Sequence, residues 1–297
     1  FSTGLVTLKT GGSLAGGLVG YFVNGSVLES YWDTQSSGMP TSSGTGATGK
    51  TTTQMMQQST FERWNFDTLW QMGTRGYPAH KDLSIHALPV ALTPADLLGS
   101  GLPDQPYVIQ SIDELNVMRQ APGASYYLNN DLDLSATCVW NGGRGWTPVG
   151  TSTIPFTGRF DGGGHELSHL FIELPDGVNV GLIGYASGST IRDASFTDVS
   201  LHARSSLGSA AGQAYDSRID LVSVQGTISG LNSVGGIAGQ IVRSIIQRGQ
   251  ADVTAWASGD YAGGIVGSVS SDASFNSTVS TCESSGMVRA SSNAGGL

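Results

Sequence analysis

Short runs of small and apolar residues, each closed by glycine and followed by a polar stretch, recur along this chain. They read Gly16-Gly17-Leu18-Val19-Gly20, Val180-Gly181-Leu182-Ile183-Gly184, Ser209-Ala210-Ala211-Gly212, Gly235-Gly236-Ile237-Ala238-Gly239 and Gly263-Gly264-Ile265-Val266-Gly267, with a further copy beginning at Gly295. Closing glycines 184, 212, 239 and 267 are evenly spaced, the middle interval one position shorter than its two neighbours. Seven positions after a closing glycine stand Val27, Ile191, Ile219 and Ile246, with Ser274 the exception; twelve after stand Trp32, Phe196, Val224, Ala251 and Val279. A constant period of this length marks a stacked repeat. A globular β-sandwich with glycine-rich hairpins does not predict it. The pattern therefore predicts an all-β fold: a parallel β-helix (β-solenoid) with rungs of about 27–28 residues, in which equivalent side chains form columns. The glycines are expected to supply corners at positive φ and room for close backbone packing.

Two short helices interrupt the β pattern. Thr51-x-x-Gln54 and Ser111-x-x-Glu114 have capping-box spacing, in which side chain and backbone satisfy each other's free groups at a helix start. They predict helices over 54–63 and 112–120, each capping the open edge of a solenoid.

Composition agrees with a folded, water-facing chain. Apolar residues make up 39% of the sequence and charged ones only 12%. Disordered chains do not match that balance. The 43 glycines follow no G-X-Y period, so collagen is excluded. A net charge of −9 and three lysines (Lys9, Lys50, Lys81) leave no basic stripe for phosphates, so no nucleic-acid partner is expected. No apolar run is long enough for a membrane span. Cys138 and Cys282 do not make a disulfide framework.

The glycine motifs, above all Gly-Gly-Leu-Val-Gly and Gly-Gly-Ile-Val-Gly, resemble the GLUG-motif repeats of bacterial surface proteins. Tyr31-Trp32-Asp33-Thr34, Thr51 to Met55, Phe61 to Asp67, Trp70 and Tyr77-Pro78 are similar to the segment that closes such arrays. Pro106 to Ile109, Glu114-Leu115, Asn130 to Leu134, Trp146 to Gly150 and Phe156 to Gly162 are similar to the segment that opens them. The copy ending at Gly212 departs from the pattern, with Ser-Ala-Ala-Gly at its close. The resemblance implies a β-helix in a very large adhesin-like secreted protein; the motif also accompanies some immunoglobulin-A-cleaving peptidases. The expected organisation is the final rung and closing segment of one module over 1–86, a linker over 87–105, and the opening and first rungs of a second module over 106–297. The sequence is taken as a fragment of something longer.

Several motifs imitate chemistry. Gly44 to Thr51 spells the phosphate-loop pattern G-x-x-x-x-G-K-T, but that loop needs a buried parallel strand before it, and Ser36 to Ser43 is polar. His165-Glu166-Leu167-Ser168-His169 spells H-E-x-x-H, which holds zinc only on a helix. Asp161-Gly162-Gly163-Gly164 before it and Leu167, Leu170 and Ile172 within and after it favour a strand. Asn130, Asp131 and Asp133 read as a corner capped by side chains more readily than as a calcium cage. Asp193, Asp198, Asp216, Asp220, Arg192 and Arg218 are the acids and bases on adjacent rungs. Arg192 and Asp220 share an offset from their glycines and are expected to stack as a surface ion pair.

No catalytic, cofactor-binding or metal-binding residue is therefore assigned. The expected function is a structural and adhesive stalk or filament module, non-enzymatic, extracellular or on the cell surface. Its expected partners are other copies of itself or neighbouring modules end to end, and surface glycans or proteins. The competing readings are a polysaccharide-active β-helix enzyme and an accessory region of a secreted peptidase.

Overall fold

The computed structural model describes residues 1–3, 6, 15–21, 23, 27–43, 46–67, 69–73, 76–80, 92–271 and 275–297. It comprises two compact units, Phe1–Ala87 and Leu88–Leu297.

In the first unit, strand Ser30–Asp33 pairs in parallel with Ala47–Lys50, and Trp70–Met72 pairs antiparallel with Pro78–His80. Asp33 is fully buried and organises the loops around it. Its Oδ1 accepts hydrogen bonds from the Gln35 and Ser36 amides at 2.8 and 3.0 Å, capping the one-turn helix Thr34–Ser37, and from Thr52 Oγ1 at 3.0 Å. Its Oδ2 accepts from the Tyr77 hydroxyl at 2.6 Å. Beside it the Phe61 ring is buried against Tyr31, edge-on at 5.0 Å, and Trp64 at 4.9 Å. The expected helix over 54–63 is shorter and starts earlier. The capping box of Thr51 and Gln54 forms, yet the helix is only Thr52–Met55, followed by a 3-10 turn at Gln58–Thr60. Met55 and Phe61 are both buried, and a continuous helix does not place both on the same packed side.

The second unit is mostly β, in long parallel sheets. Strands Ile183–Ser187, Ala211–Tyr215, Ala238–Val242 and Val266–Ser270 lie side by side in that order. Ile183 faces Ala211, Ala211 faces Ala238 and Ala238 faces Val266, so each strand sits one sequence repeat from the next. The other sheet keeps the same step: Thr190–Leu207 pairs with Arg218–Gly230, and that with Ile245–Gln247 and Gln250–Ala257. Equivalent apolar residues touch as a result. Phe160, Ile191, Ile219 and Ile246 form one buried column, and Leu167, Phe196, Val224 and Ala251 another. Both belong to one continuous core.

The columns change their sequence step after Ile246 and Ala251. Ile246 faces Val279 and Ala251 faces Ser284, a longer step than the one before it. Val279, placed by spacing in the Phe196 column, belongs to the Ile191 column, because extra residues precede the strand Thr278–Ser280. Ser274, the apparent exception, lies outside the described residues.

A second finding corrects the role of glycine. None of Gly184, Gly212, Gly239 and Gly267 has positive φ. A Cβ on Gly212 would stand 2.2 Å from the Val180 amide, and one on Gly239 2.2 Å from that of Leu207. The closing glycines are there because backbone passes against backbone. The left-handed corners fall mostly on residues with side chains: Asn179, Ser206, Ser233 and Tyr261 at one bend, Asp193, Leu221, Arg248 and Thr281 at another, while at a third Gly188 stands in line with Asp216 and Arg243.

Serine stacks at a third position. Ser189, Ser217 and Ser244 are buried, and Ser217 Oγ accepts from the Ser189 amide at 3.1 Å while Ser244 Oγ accepts from the Ser217 amide at 3.0 Å. A hydroxyl from each copy satisfies a buried amide of its neighbour, which would otherwise cost about 1–3 kcal/mol.

The segment expected to open the array joins the same parallel sheet through Tyr107–Ile109, Ser125–Leu128 and Arg159–Ser168. Helix Ile112–Asn116, continued by a 3-10 turn to Arg119, carries the expected Ser111 and Glu114 capping box and buries Ile112, Leu115, Val117 and Met118. The described part of the expected linker, 92–105, is folded onto this unit. Leu97 is in its core, Leu98 bridges Val108, and the Ser125 amide donates to Gly101 O at 2.8 Å. Among the described residues no helix is long and apolar enough to cross a membrane.

Candidate functional site

The structure places the residues of each motif as follows. Ala47–Lys50 is a strand, and a Cβ on Gly49 would lie 2.7 Å from the Trp32 indole, so that backbone faces a side chain. The amides that a phosphate would need are occupied: Thr51 N donates to Gln54 Oε1 at 3.0 Å and Thr52 N to Gln35 Oε1 at 2.9 Å. Gly44 and Thr45 lie outside the described residues.

His165 and Glu166 are on strand Arg159–Ser168, and His169 sits just past its end at φ 56°. The two histidines diverge to different partners. His165 Nδ1 meets Asp131 Oδ1 at 3.0 Å and His169 Nδ1 meets Asp133 Oδ1 at 2.9 Å. Glu166 accepts from Thr197 Oγ1 at 2.6 Å. Asp133 Oδ1 also accepts from the Ser135 amide at 2.9 Å, the corner-capping expected of this segment. Asp131 instead accepts from the Glu166 amide on the paired chain at 3.0 Å. Cys138 and Cys282 are both free thiols.

The charged residues stack, but not as the offsets suggested. Arg192 and Asp220 are register partners on neighbouring strands, yet each turns to the opposite side. Arg192 donates to Asp161 Oδ2 through Nε at 2.8 Å and Nη2 at 2.5 Å. Asp220 accepts from Arg248 Nε and Nη2, both at 2.8 Å, and from Arg218 at 3.1 Å. Sequence offsets give the column and not the rotamer, and an arginine reaches a copy in either direction. The Arg248 hydrogen bonds pull the Asp220 carboxyl down to about 2, against the opposing effect of its burial. Asp216 pairs with Arg243, whose guanidinium lies 4.5 Å from the Tyr215 ring centre. Asp193 and Asp198 are both at left-handed corners, and Asp198 approaches His169 Nε2 at 3.7 Å.

Sequence reading did not single out the concave features of the second unit. Where each copy bends through its left-handed residue, the surface folds into an open groove of about 670 Å³. Asp193, Leu221, Arg248 and Thr281 form one wall, one residue per copy. Ser195, Ser223, Gln250 and Glu283 form the other and are strict register partners in that order. Ala194, Val222, Gly249 and Cys282 lie between the walls, with the Ala194 and Val222 side chains turned into the core, and Leu221 is the exposed apolar side chain of the lining. A shallower cleft of about 350 Å³ shares the Ser195 wall and adds Gln225, Asp252 and Ser285 beyond it. Ser223 Oγ donates to Ser195 Oγ at 2.9 Å, and Ser285 Oγ to Asp252 Oδ1 at 3.0 Å. The signal for this wall was legible, since Ser195, Ser223 and Gln250 each stand eleven positions after a closing glycine. Glu283 escapes that count because of the longer connection before it. Among the described residues no cluster of three or more His, Cys, Asp or Glu side chains is arranged to hold a metal ion.

No known family model matches the chain. A stretch of 150 residues, 48% of the chain, is 32% identical to part of halomucin from Haloquadratum walsbyi. An alignment of 102 residues, 33% of the chain, is 33% identical to a protein of Evansella cellulosilytica provisionally named a Gly-rich membrane protein. The chain spans about 2% of the first relative's length and about 12% of the second's. Among solved structures, a Bacteroides ovatus protein provisionally described as an immunoglobulin A1 protease aligns at 17% identity with a TM-score of 0.43, over 63% of this chain and 68% of its own.

Proposed function

We propose that the second unit is a β-solenoid, coiling once per copy of the repeat, and that the chain is a non-catalytic structural and adhesive module of a much larger surface protein. The observation that carries this reading is the residue-for-residue stacking of equivalent positions, strand upon strand, one repeat apart. A chain built this way gains length and a periodic face by adding copies, each stabilised by its neighbours. The matches to small parts of halomucin and of a Gly-rich membrane protein support a repetitive segment in a large surface protein. The resemblance of the glycine motifs to GLUG repeats points the same way, and toward the outside of the cell. Contacts with neighbouring modules, with other copies and with surface glycans or proteins belong to this reading.

The competing enzymatic reading loses its best residue. A carboxyl held near 2 by Arg248 is ionised at neutral pH, so Asp220 has no proton to give and is a weak base. The test has two arms. Beads coated with the chain are expected to adhere to one another or to glycan- or protein-coated surfaces above albumin-coated controls. The soluble protein is expected to release no reducing or unsaturated sugar from a glycan panel. Beads that never adhere, or turnover that disappears in Asp220→Asn, would overturn the proposal.

A further inference from the structure

We infer that the groove of the second unit binds an extended neutral or amino-bearing sugar chain, laid across the strands with one sugar residue per copy of the repeat. This rests on the adhesive reading and deepens it by giving one of its contacts a ligand and a place.

The argument begins with spacing. Each wall offers one side chain per strand, and neighbouring strands lie roughly 4.8 Å apart. That repeat is close to the advance of one pyranose residue along an extended chain. An extended peptide rises roughly 3.3 Å per residue and shows the same face only every second residue, so it falls out of step with the walls. Over the strands of Ser195, Ser223 and Gln250 the groove presents no free edge on which a peptide adds by backbone pairing; among the described residues the strand Glu283–Ala290 at its end is paired on one side only, and the peptide arm of the test covers it. Between the walls the backbone is already paired, with Glu283 N donating to Gly249 O at 2.9 Å.

Chemistry follows the same division. A sugar ring has a face of C–H groups and a rim of hydroxyls. The exposed Leu221 side chain on one wall suits the face, and the hydroxyls and amide of Ser195, Ser223 and Gln250 suit the rim, the mixture of apolar lining and a few placed polar groups that small-ligand sites use. Asp193 and Glu283 add negative charge to opposite walls, while the guanidinium there, Arg248, is already paired with Asp220. The field therefore disfavours uronate or sulfated chains and favours uncharged or amino sugars.

The experiment titrates the whole chain by calorimetry with β-linked glucose and N-acetylglucosamine oligomers of increasing length, with an oligogalacturonate and an extended polar peptide alongside. Affinity should rise with each sugar until the wall is filled and then level off, and the oligogalacturonate and peptide should not bind. Gln250→Ala and Ser223→Ala should each weaken binding about tenfold, the size of one lost hydrogen bond. Glu283→Gln should admit the oligogalacturonate while leaving the neutral oligomers bound, a change in selectivity that a purely structural residue would not produce. Circular dichroism verifies that each variant is folded, and Gln250→Lys, on an exposed side chain, replaces any that is not. The inference fails if no neutral oligomer binds, if binding is indifferent to Gln250 and Ser223, or if the peptide is the preferred ligand. Bead adhesion that persists in the Gln250 and Ser223 variants would leave the adhesive module standing and remove only this groove from it.

Discussion

Around Asp33, four hydrogen-bond donors drawn from three segments of the first unit meet one carboxylate, and nothing among the described residues repeats the arrangement. Along the second unit, buried hydroxyls, ion pairs and apolar contacts have counterparts one copy away. Asp161 sits between Arg159 and Arg192 much as Asp220 sits between Arg218 and Arg248. The first arrangement concentrates stability in a single group. The second distributes it, so that losing one contact weakens one interface between copies and leaves the others intact.

The sharpest break of this comparison is Asp33→Ala. Burial raises the cost of this carboxyl's charge, but the hydrogen bonds from Tyr77, from the Ser36 and Gln35 amides and from Thr52 hold it below the ordinary carboxylate range, the charged form being the one that accepts them. Its removal uncaps the helix Thr34–Ser37 and orphans the Tyr77 and Thr52 hydroxyls. A loss of about 3 kcal/mol is expected, combining a lost cap with lost bonds to a charged group. Denaturant unfolding followed by tryptophan fluorescence should then show an early transition in which Trp32, Trp64 and Trp70 become exposed. A single unshifted transition would mean that the carboxylate is dispensable and the contrast with the repeats is wrong.

A smaller effect sharpens the other side. Asp220 has its pKa lowered from the ordinary 3.8 to about 2. A depressed pKa contributes stability above the unfolded value, and that contribution disappears as pH falls through the folded one. The Arg248 and Arg218 pairings are therefore worth roughly 2 kcal/mol above about pH 4, lost between about pH 4 and 2. Asp220→Asn should lower stability by that amount at neutral pH and flatten the acid limb of the curve in that interval. Because Asp161 and its arginines are untouched, the remaining copies should keep their circular-dichroism signal. Collapse of the whole unit would show that the copies are less independent than their pairing implies.

What the sequence disclosed follows the same split. Columns at fixed offsets, the two capping boxes and the strand character of His165 to Ser168 were readable, because each depends on local spacing or on a period. The length of the helix after Thr51 was not, because the burial of both Met55 and Phe61 is decided by tertiary packing. Which aspartate Arg192 chooses was hidden in a rotamer. The groove was half readable: its Ser195, Ser223 and Gln250 wall is periodic, while the opposite wall depends on corners that no residue preference announces. Leu221, Arg248 and Thr281 adopt left-handed backbone although their types avoid it, so register with Asp193 has overridden local preference.

That override supports the smallest and most specific prediction. Leu221 has φ 54° and a side chain that is 46% exposed, so it incurs backbone strain and gains little from burial. A left-handed conformation costs a non-glycine residue roughly 1–2 kcal/mol. Glycine removes that strain but adds about 0.5–1 kcal/mol of chain entropy to be lost on folding. Leu221→Gly should therefore raise stability by up to about 1 kcal/mol, read as a higher thermal midpoint. At Gln250, where the backbone is an ordinary strand, the same replacement should instead destabilise, since it adds the entropy cost and relieves nothing. Equal effects at the two positions would mean that the corners are not strained, and that their columns are set by something other than the stacking of one copy on the next.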